Sequence, residues 1–321
     1  MFGTTTLTND TIRITFNANN TANANLLTLG THTVQVTTGT NITDSASNTA
    51  NTTPAAVTIT TEGVAPTITA RETADLDNDG SIDAIKLTFS EAILDSTVQA
   101  SDFDVSGVAG EAFSSTTAGD TADNTVIYLT FTDGVHNTGV TPTLAYTQSG
   151  ATDVTDLAGN KLANSAATAT TDKAKPVLLS TTSNVASGGD LFNAVNEQLD
   201  LVFSEALSAA PSEANLEAAL TFAGGATDSD NLPSTGTGTN PIALATTTVT
   251  NDTIRVTFNA NNTANANLLT VGTHTVQVTT GTNITDSASN TANTTPAAVT
   301  IQASSIRSPR HSGSSGYPAI Y

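Results

Sequence analysis

Thr4-Thr-Thr-Leu-Thr-Asn-Asp-Thr-Ile-Arg13 opens a segment that closes on Val57-Thr-Ile59 and returns at residues 246–301, 242 positions further on. Only Leu7/Val249, Ile14/Val256 and Leu29/Val271 differ between the copies, each an exchange of one aliphatic for another. Within the repeat, Ile12, Ile14 and Phe16 alternate with Arg13 and Thr15, and Val34 and Val36 with Thr33 and Gln35. A period of two buries one face of a strand, so the segment reads as β. Self-similarity over so long a period marks an array, in which one structural unit is copied and its copies are stacked or strung together. Catalytic sites seldom come in near-identical duplicate; scaffolds and polymers often do.

The same alternation recurs outward from the repeat, in Ile85-Lys-Leu-Thr-Phe89, Ile127-Tyr-Leu-Thr-Phe131 and Leu199-Asp-Leu-Val-Phe203. Gly, Asn, Asp and Ser clusters separate these runs, as turns require. Only Glu213 to Ala219 and Ser96 to Asp102 have helical composition, each for one or two turns. Many short strands with polar turns predict an all-β chain of antiparallel sandwiches.

Composition narrows the function classes. Against 29 acidic residues stand 9 basic ones, a net charge of −20 at pH 7. Nucleic-acid binding would need a basic stripe and stacking aromatics, and neither is present. Acidic surfaces draw divalent cations and repel one another unless salt or cations intervene. Cysteine and tryptophan are absent, so an exported form would rely on packing or metal instead of disulfides. No run approaches the roughly 20 apolar residues of a membrane span, and no basic region followed by an apolar stretch opens the chain.

A second layer of repetition sets the domains. Leu87-Thr-Phe-Ser-Glu-Ala-Ile93 is echoed by Leu201-Val-Phe-Ser-Glu-Ala-Leu207, and each follows a proline entrance, Val64-Ala-Pro66-Thr-Ile68 and Ala174-Lys-Pro176-Val-Leu178. Behind them come Asp156-Leu-Ala-Gly-Asn160 and Asp286-Ser-Ala-Ser-Asn290. The spacing is 16 residues longer in the second unit, with Gly224 to Asn240 the natural insertion. The expected organisation is a half-domain at 1–63, complete sandwiches at 64–173 and 174–303, and a tail at 304–321.

A proline entrance, then "Leu-Thr-Phe-Ser-Glu-Ala", then "Asp-Leu-Ala-Gly-Asn" resembles the bacterial Ig-like repeats. These recur in surface-layer proteins, adhesins and the cyanobacterial swimming-motility surface protein. The resemblance covers about 64–303 and, in half-domain form, 4–60. It implies tandem Ig-like antiparallel β-sandwiches in an extracellular, cell-surface setting, and no reaction. The family's glycine is replaced by Ser47 and Ser289 in the two Asp-Ser-Ala-Ser-Asn loops.

Residues 4–60 match only the second half of the 174–303 domain, whose first half is 177–245. A face carrying Ile12, Ile14, Phe16, Val34 and Val36 needs a cover, since burying each such side chain contributes roughly 1.5–3 kcal/mol. An open sheet edge also offers unpaired backbone groups. The cover could be a neighbour's 177–245, which would strip that neighbour's own 246–301. It could be a further stretch of a longer array, or a donor strand from another copy. Head-to-tail contacts of the last kind build filaments. The tail, with Arg307, Arg310, Tyr317 and Tyr321, reads either as an unstructured end or as an assembly segment.

Asp75-Leu-Asp77-Asn-Asp79-Gly80-Ser81-Ile82-Asp83 is the strongest chemical motif. Oxygen donors at positions 1, 3, 5 and 9, glycine at 6 and the Ser81 carbonyl at 7 match a calcium loop. Lys86 stands where the usual Glu at position 12 would be, so the site needs a carboxylate from elsewhere. The plainer reading is an acidic hairpin turn, but four carboxylates so close together repel unless a cation neutralises them.

Asp153 with Asp156 and Asp228 with Asp230 are weaker acidic pairs that turn capping also explains. Glu91 and Glu205 sit at equivalent places in separate domains, against a shared hydrolytic site. His32, His136, His274 and His311 lack zinc spacing, and no nucleophile elbow or phosphate loop occurs. Asn-x-Ser/Thr sequons stand at Asn9, Asn19, Asn41, Asn51, Asn251, Asn261, Asn283 and Asn293.

The expected function is a non-catalytic extracellular structural protein that assembles with copies of itself, end to end, into a filament, sheath or surface layer stiffened by calcium. The runner-up is the stalk of an adhesin or carbohydrate-binding protein, with surface glycans as partner. Aromatic residues for stacking on sugar are only 4% of the chain, which favours the first. A hydrolase ranks last.

Overall fold

The computed structural model describes residues 2–3, 11–12, 14, 31–60, 63–150, 152–185, 192, 196–224, 232, 241–258 and 269–303. Phe16, Asp228, Asp230, His311, the tail 304–321 and the sequons at Asn9, Asn19 and Asn261 lie outside the described residues, as does the 224–240 insertion apart from Gly224 and Leu232.

Contacts divide the chain into two compact units, Met1–Val64 and Ala65–Tyr321. In the first, β1 (Phe2–Gly3) pairs with β2 (Thr11–Ile12), and β3 (Thr33–Val34) pairs with β4 (Val57–Thr58).

The second unit holds two pairs of sheets. β5 (Ile68–Ala74), β6 (Ala84–Phe89), β7 (Phe103–Val105), β8 (Ala112–Phe113), β9 (Val126–Thr130), β10 (Thr143–Tyr146) and β11 (Ser165–Ala169) form sheets of order β5-β6-β9-β8 and β11-β10-β7. Ile85, Leu87, Ile127 and Leu129 of one sheet share a buried core with Phe103, Val105, Leu144 and Tyr146 of the other. β12 (Leu178–Asn184), β13 (Gln198–Phe203), α1 (Glu213–Ala219), β14 (Leu220–Ala223), β15 (Ile242–Ala245), β16 (Thr253–Thr257), β17 (Thr275–Val278) and β18 (Val299–Thr300) build the second pair. Its sheets run β12-β13-β16-β15 and β14-β17-β18. Leu199, Leu201, Ile254 and Val256 meet Leu220, Phe222, Val276 and Val278 in its core.

All these strand pairings are antiparallel, and α1 is the one α-helix among the described residues. The chain is all-β. Ser212 caps α1 by accepting from the Asn215 N–H at 3.3 Å, and Leu216 and Ala219 turn into the core. The other helical stretch resolves into two 3-10 turns, Asp95–Thr97 and Ala100–Asp102. No helix among the described residues is long and apolar enough to cross a membrane.

The repeat supplies an internal control on what local sequence can do. Phe2 faces Ile12 as Leu244 faces Ile254, and Val34 faces Val57 as Val276 faces Val299. The Gln35 side chain donates to the Pro54 carbonyl at 2.9 Å, and Gln277 to Pro296 at 2.9 Å. Pairing and turns are thus reproduced; burial is not. Ile12, Ile14 and Val34 are 52, 74 and 61% exposed, whereas their copies Ile254, Val256 and Val276 are 0% exposed. The difference is the first half of the domain: β13 lies against β16, and β14 against β17. In the Met1–Val64 unit, Val34, Val36, Pro54, Ala55 and Val57 instead line an open groove.

The serine-for-glycine exchange has a backbone consequence. Gly159 has φ +91°, and Ser47 and Ser289 take the same left-handed turn at φ 67° and 69°. A side chain there strains the backbone by roughly 1–2 kcal/mol, partly offset because glycine is freer when unfolded. Ser289→Gly should therefore raise stability by roughly 0.5–1 kcal/mol in urea unfolding, and Gly159→Ser should lower it.

Asp252 ties the turn before β16. Its carboxylate accepts from the N–H groups of Thr247, Thr248 and Val249 at 2.8, 2.7 and 2.7 Å. Burial pulls its pKa up, but these donors outweigh burial and hold it below the ordinary value. Their stabilisation is full above about pH 4 and is lost as pH falls through the depressed folded value. Asp252→Ala should cost about 2–4 kcal/mol at pH 7, with the gap to wild type closing in acid.

Candidate metal centre

The loop joining β5 to β6 turns so tightly because its carboxylates bind its own backbone. Asp75 Oδ1 accepts from the N–H groups of Asn78 and Asp79 at 2.7 and 3.2 Å, and Oδ2 from Gly80 at 3.0 Å. Asp79 Oδ1 accepts from Ser81 N–H at 2.8 Å, and Asp83 Oδ1 closes the loop on Leu76 N–H at 2.9 Å. Backbone conformation favours glycine at position 80. Its φ is +97°, and a Cβ there would lie 2.6 Å from Leu179 Cδ2.

Of the five residues read from the sequence as ligands, Asp75, Asp77 and Asp79 each bring a carboxylate oxygen within 4.8 Å of the others. Asp83 is half-buried beside them. Ser81 bridges to Asn137, and the next residue, Ile82, donates to the His136 carbonyl at 2.8 Å. Burial, outweighing the loop's N–H donors and aided by Asp79 and Asp77, pushes Asp75 up to about 6. Burial likewise raises Asp83, with Asp77 and Asp133 adding to it.

Asp133 was not legible in the sequence. It follows β9, and its carboxyl shares a hydrogen bond with Asp79; burial first, then Asp79 and Asp77, raise its pKa. A lone Asp-Gly pair carries no ligand signal. Yet Asp133 is a carboxylate from elsewhere, beside a loop whose position 12 is Lys86. Lys86 itself turns away to Glu72 at 3.3 Å. An all-oxygen, carboxylate-rich set suits a hard divalent cation such as calcium, and such an ion would offset the burial and the mutual repulsion that raise Asp75, Asp83 and Asp133.

The other candidates are otherwise engaged. Asp153 is paired with Lys161 at 2.7 Å, and Asp156 caps its turn by accepting from Ala158 and Asn160 N–H at 2.8 and 2.9 Å. Glu91 and Glu205 follow β6 and β13, in separate cores. His136 Nε2 contacts the Ser106 carbonyl at 3.0 Å, and buried His274 accepts from Thr270 N–H through Nδ1 at 2.9 Å. Asn293 is buried and donates to Asn78 Oδ1 at 2.6 Å, which removes that sequon from solvent. Asn41, Asn51 and Asn251 stay exposed.

Chelation should lower the thermal midpoint of the chain, and added calcium should restore it. Asp79→Asn, and separately Asp133→Asn, should each weaken calcium binding about tenfold in calorimetric titration; unchanged affinity in both would remove the loop as a site. No family model, curated protein or solved structure matches the chain.

Proposed function

We propose that this chain is a non-catalytic, extracellular structural protein built from tandem Ig-like β-sandwiches, related to the bacterial Ig-like repeats of cell-surface proteins. In this reading 64–173 and 174–303 are complete sandwiches and 1–63 is half of one. The half is completed by a donor strand of a neighbouring copy, so that subunits join end to end into a filament, sheath or surface layer. Calcium in the 75–83 loop stiffens the joint that the loop abuts.

One observation carries the proposal. Ile12, Ile14 and Val34 are more than half exposed, while the same positions of the copy are fully buried by β13 and β14. The strand alternation of β13 and β14 defines the chemistry of the missing cover: apolar side chains every second residue, plus a backbone edge for the ladder. Exposed apolar surface rimmed by polar residues is the usual mark of an association site. A net charge of −20 gives copies a reason to assemble only where salt or divalent cations screen it.

The duplicate makes the test specific. Val34→Asp should abolish polymers seen by negative stain and sedimentation while leaving the thermal midpoint of the second unit unchanged. Val276→Asp, the same exchange in the copy, should unfold the second sheet pair. A wild-type chain that stays monomeric in calcium at high concentration, yet binds glycans, would favour the adhesin stalk instead.

A further inference from the structure

We propose that Asp172, Glu205 and Asp286 form a second divalent-cation site, separate from the 75–83 loop, and that the ion it takes clamps the two sheet pairs of the second unit together. The three residues come from three places. Asp172 lies in the connector after β11, Glu205 two residues beyond β13, and Asp286 at the start of the Asp286–Asn290 turn. One carboxylate oxygen from each lies within 4.8 Å of the others.

An unpartnered atom points to a ligand. Glu205 is 2% exposed, and its Oε1 has no hydrogen-bond partner. A buried carboxylate oxygen without a donor is strongly disfavoured unless something positive sits beside it. Side-chain cations do not fill that role. Among the described residues the ion pairs are Lys86–Glu72, Lys161–Asp153 and Arg255–Asp200, and none involves this cluster. Only Lys173, itself exposed, eases the charge on Asp172.

The surroundings hold the carboxylates the way a second layer of ligands holds a metal site. Asn290 Nδ2 donates to Asp286 Oδ2 at 2.8 Å and to Asp172 Oδ1 at 3.3 Å, and Asn290 N–H donates to Asp286 Oδ1 at 2.8 Å. Thr73 Oγ1, on β5 of the first sheet pair, donates to Asp172 Oδ1 at 3.4 Å. Thr138 and Ser204 join hydroxyls across the junction at 2.5 Å, next to Glu205. Burial raises Glu205 to about 9 and, with Asp286, Asp172 to about 6, so a charge on either is disfavoured in the bare protein. Three carboxylates with no nitrogen or sulfur donor select a hard cation, calcium over zinc, with water completing its shell.

The clamp follows from where the ligands sit. Asp172 is hydrogen-bonded to the first sheet pair, whereas Glu205 and Asp286 belong to the second, so one ion spans the joint. This holds whether or not the chain polymerises.

The test uses the full chain, stripped with chelator and titrated calorimetrically with calcium chloride alone. Wild type should bind two ions. The triple variant Asp75→Asn, Asp77→Asn, Asp79→Asn should still bind one. Adding Glu205→Gln to that background should weaken the remaining binding at least about tenfold while leaving the melting temperature in chelator no lower, because glutamine is neutral and of the same shape. Should Glu205→Gln fail to fold, Asp172→Asn, half-exposed in the connector, serves the same purpose. A triple variant that binds no calcium overturns the site, as does binding unaffected by both Glu205→Gln and Asp172→Asn. Polymer formation is read separately by sedimentation, so the two proposals fail independently.

Discussion

An alternating strand has one face that must be hidden and one that need not be, and the chain meets that demand by setting two sheets against each other. Each of the two cores is closed in this way, with apolar side chains from a four-stranded sheet meeting those of a three-stranded one. Hydrogen bonds along the ladders do not require the second layer; burial does. The first unit separates the two effects, because its short ladders and turns copy those of residues 246–301 while its apolar face stays open.

A chain this acidic must also decide where its carboxylates go. Three solutions appear side by side. Asp252 and Asp156 accept backbone N–H groups and act as turn caps. Asp153, Asp200 and Glu72 take a lysine or arginine. The remaining clusters, at the 75–83 loop and at Asp172–Glu205–Asp286, have no side-chain cation paired with them, and burial raises Asp75, Asp172 and Glu205. Both lie against the joint between the two sheet pairs, where Gly80 packs on Leu179 and Asn290 reaches Asp172. Excess negative charge is thus concentrated at this joint.

Much of this was legible from residue patterns. Alternation in residues 85–89, 127–131 and 199–203 located central strands, and the composition of Glu213–Ala219 marked α1, because both signals are local. The Asp75–Asp83 loop was legible because its spacing places three carboxylates on one turn. Asp133 and the Asp172–Glu205–Asp286 set were not. Their members are neighbours only after sheets pair and the two cores abut, and no spacing rule links them. The serine at position 289 is a smaller case: its left-handed turn is held by Asp286 and Asn290 against the preference of the residue itself.

By itself the sequence determined which residues become strands, which turns join them and which face of each strand is apolar, since these depend on neighbours a few positions away. Whether that apolar face ends buried or bare was decided only by tertiary structure. Val34 and Val276 sit in near-identical sequence and equivalent ladders, yet one meets solvent and the other meets Phe222, because β14 of the first half-domain lies against the second copy.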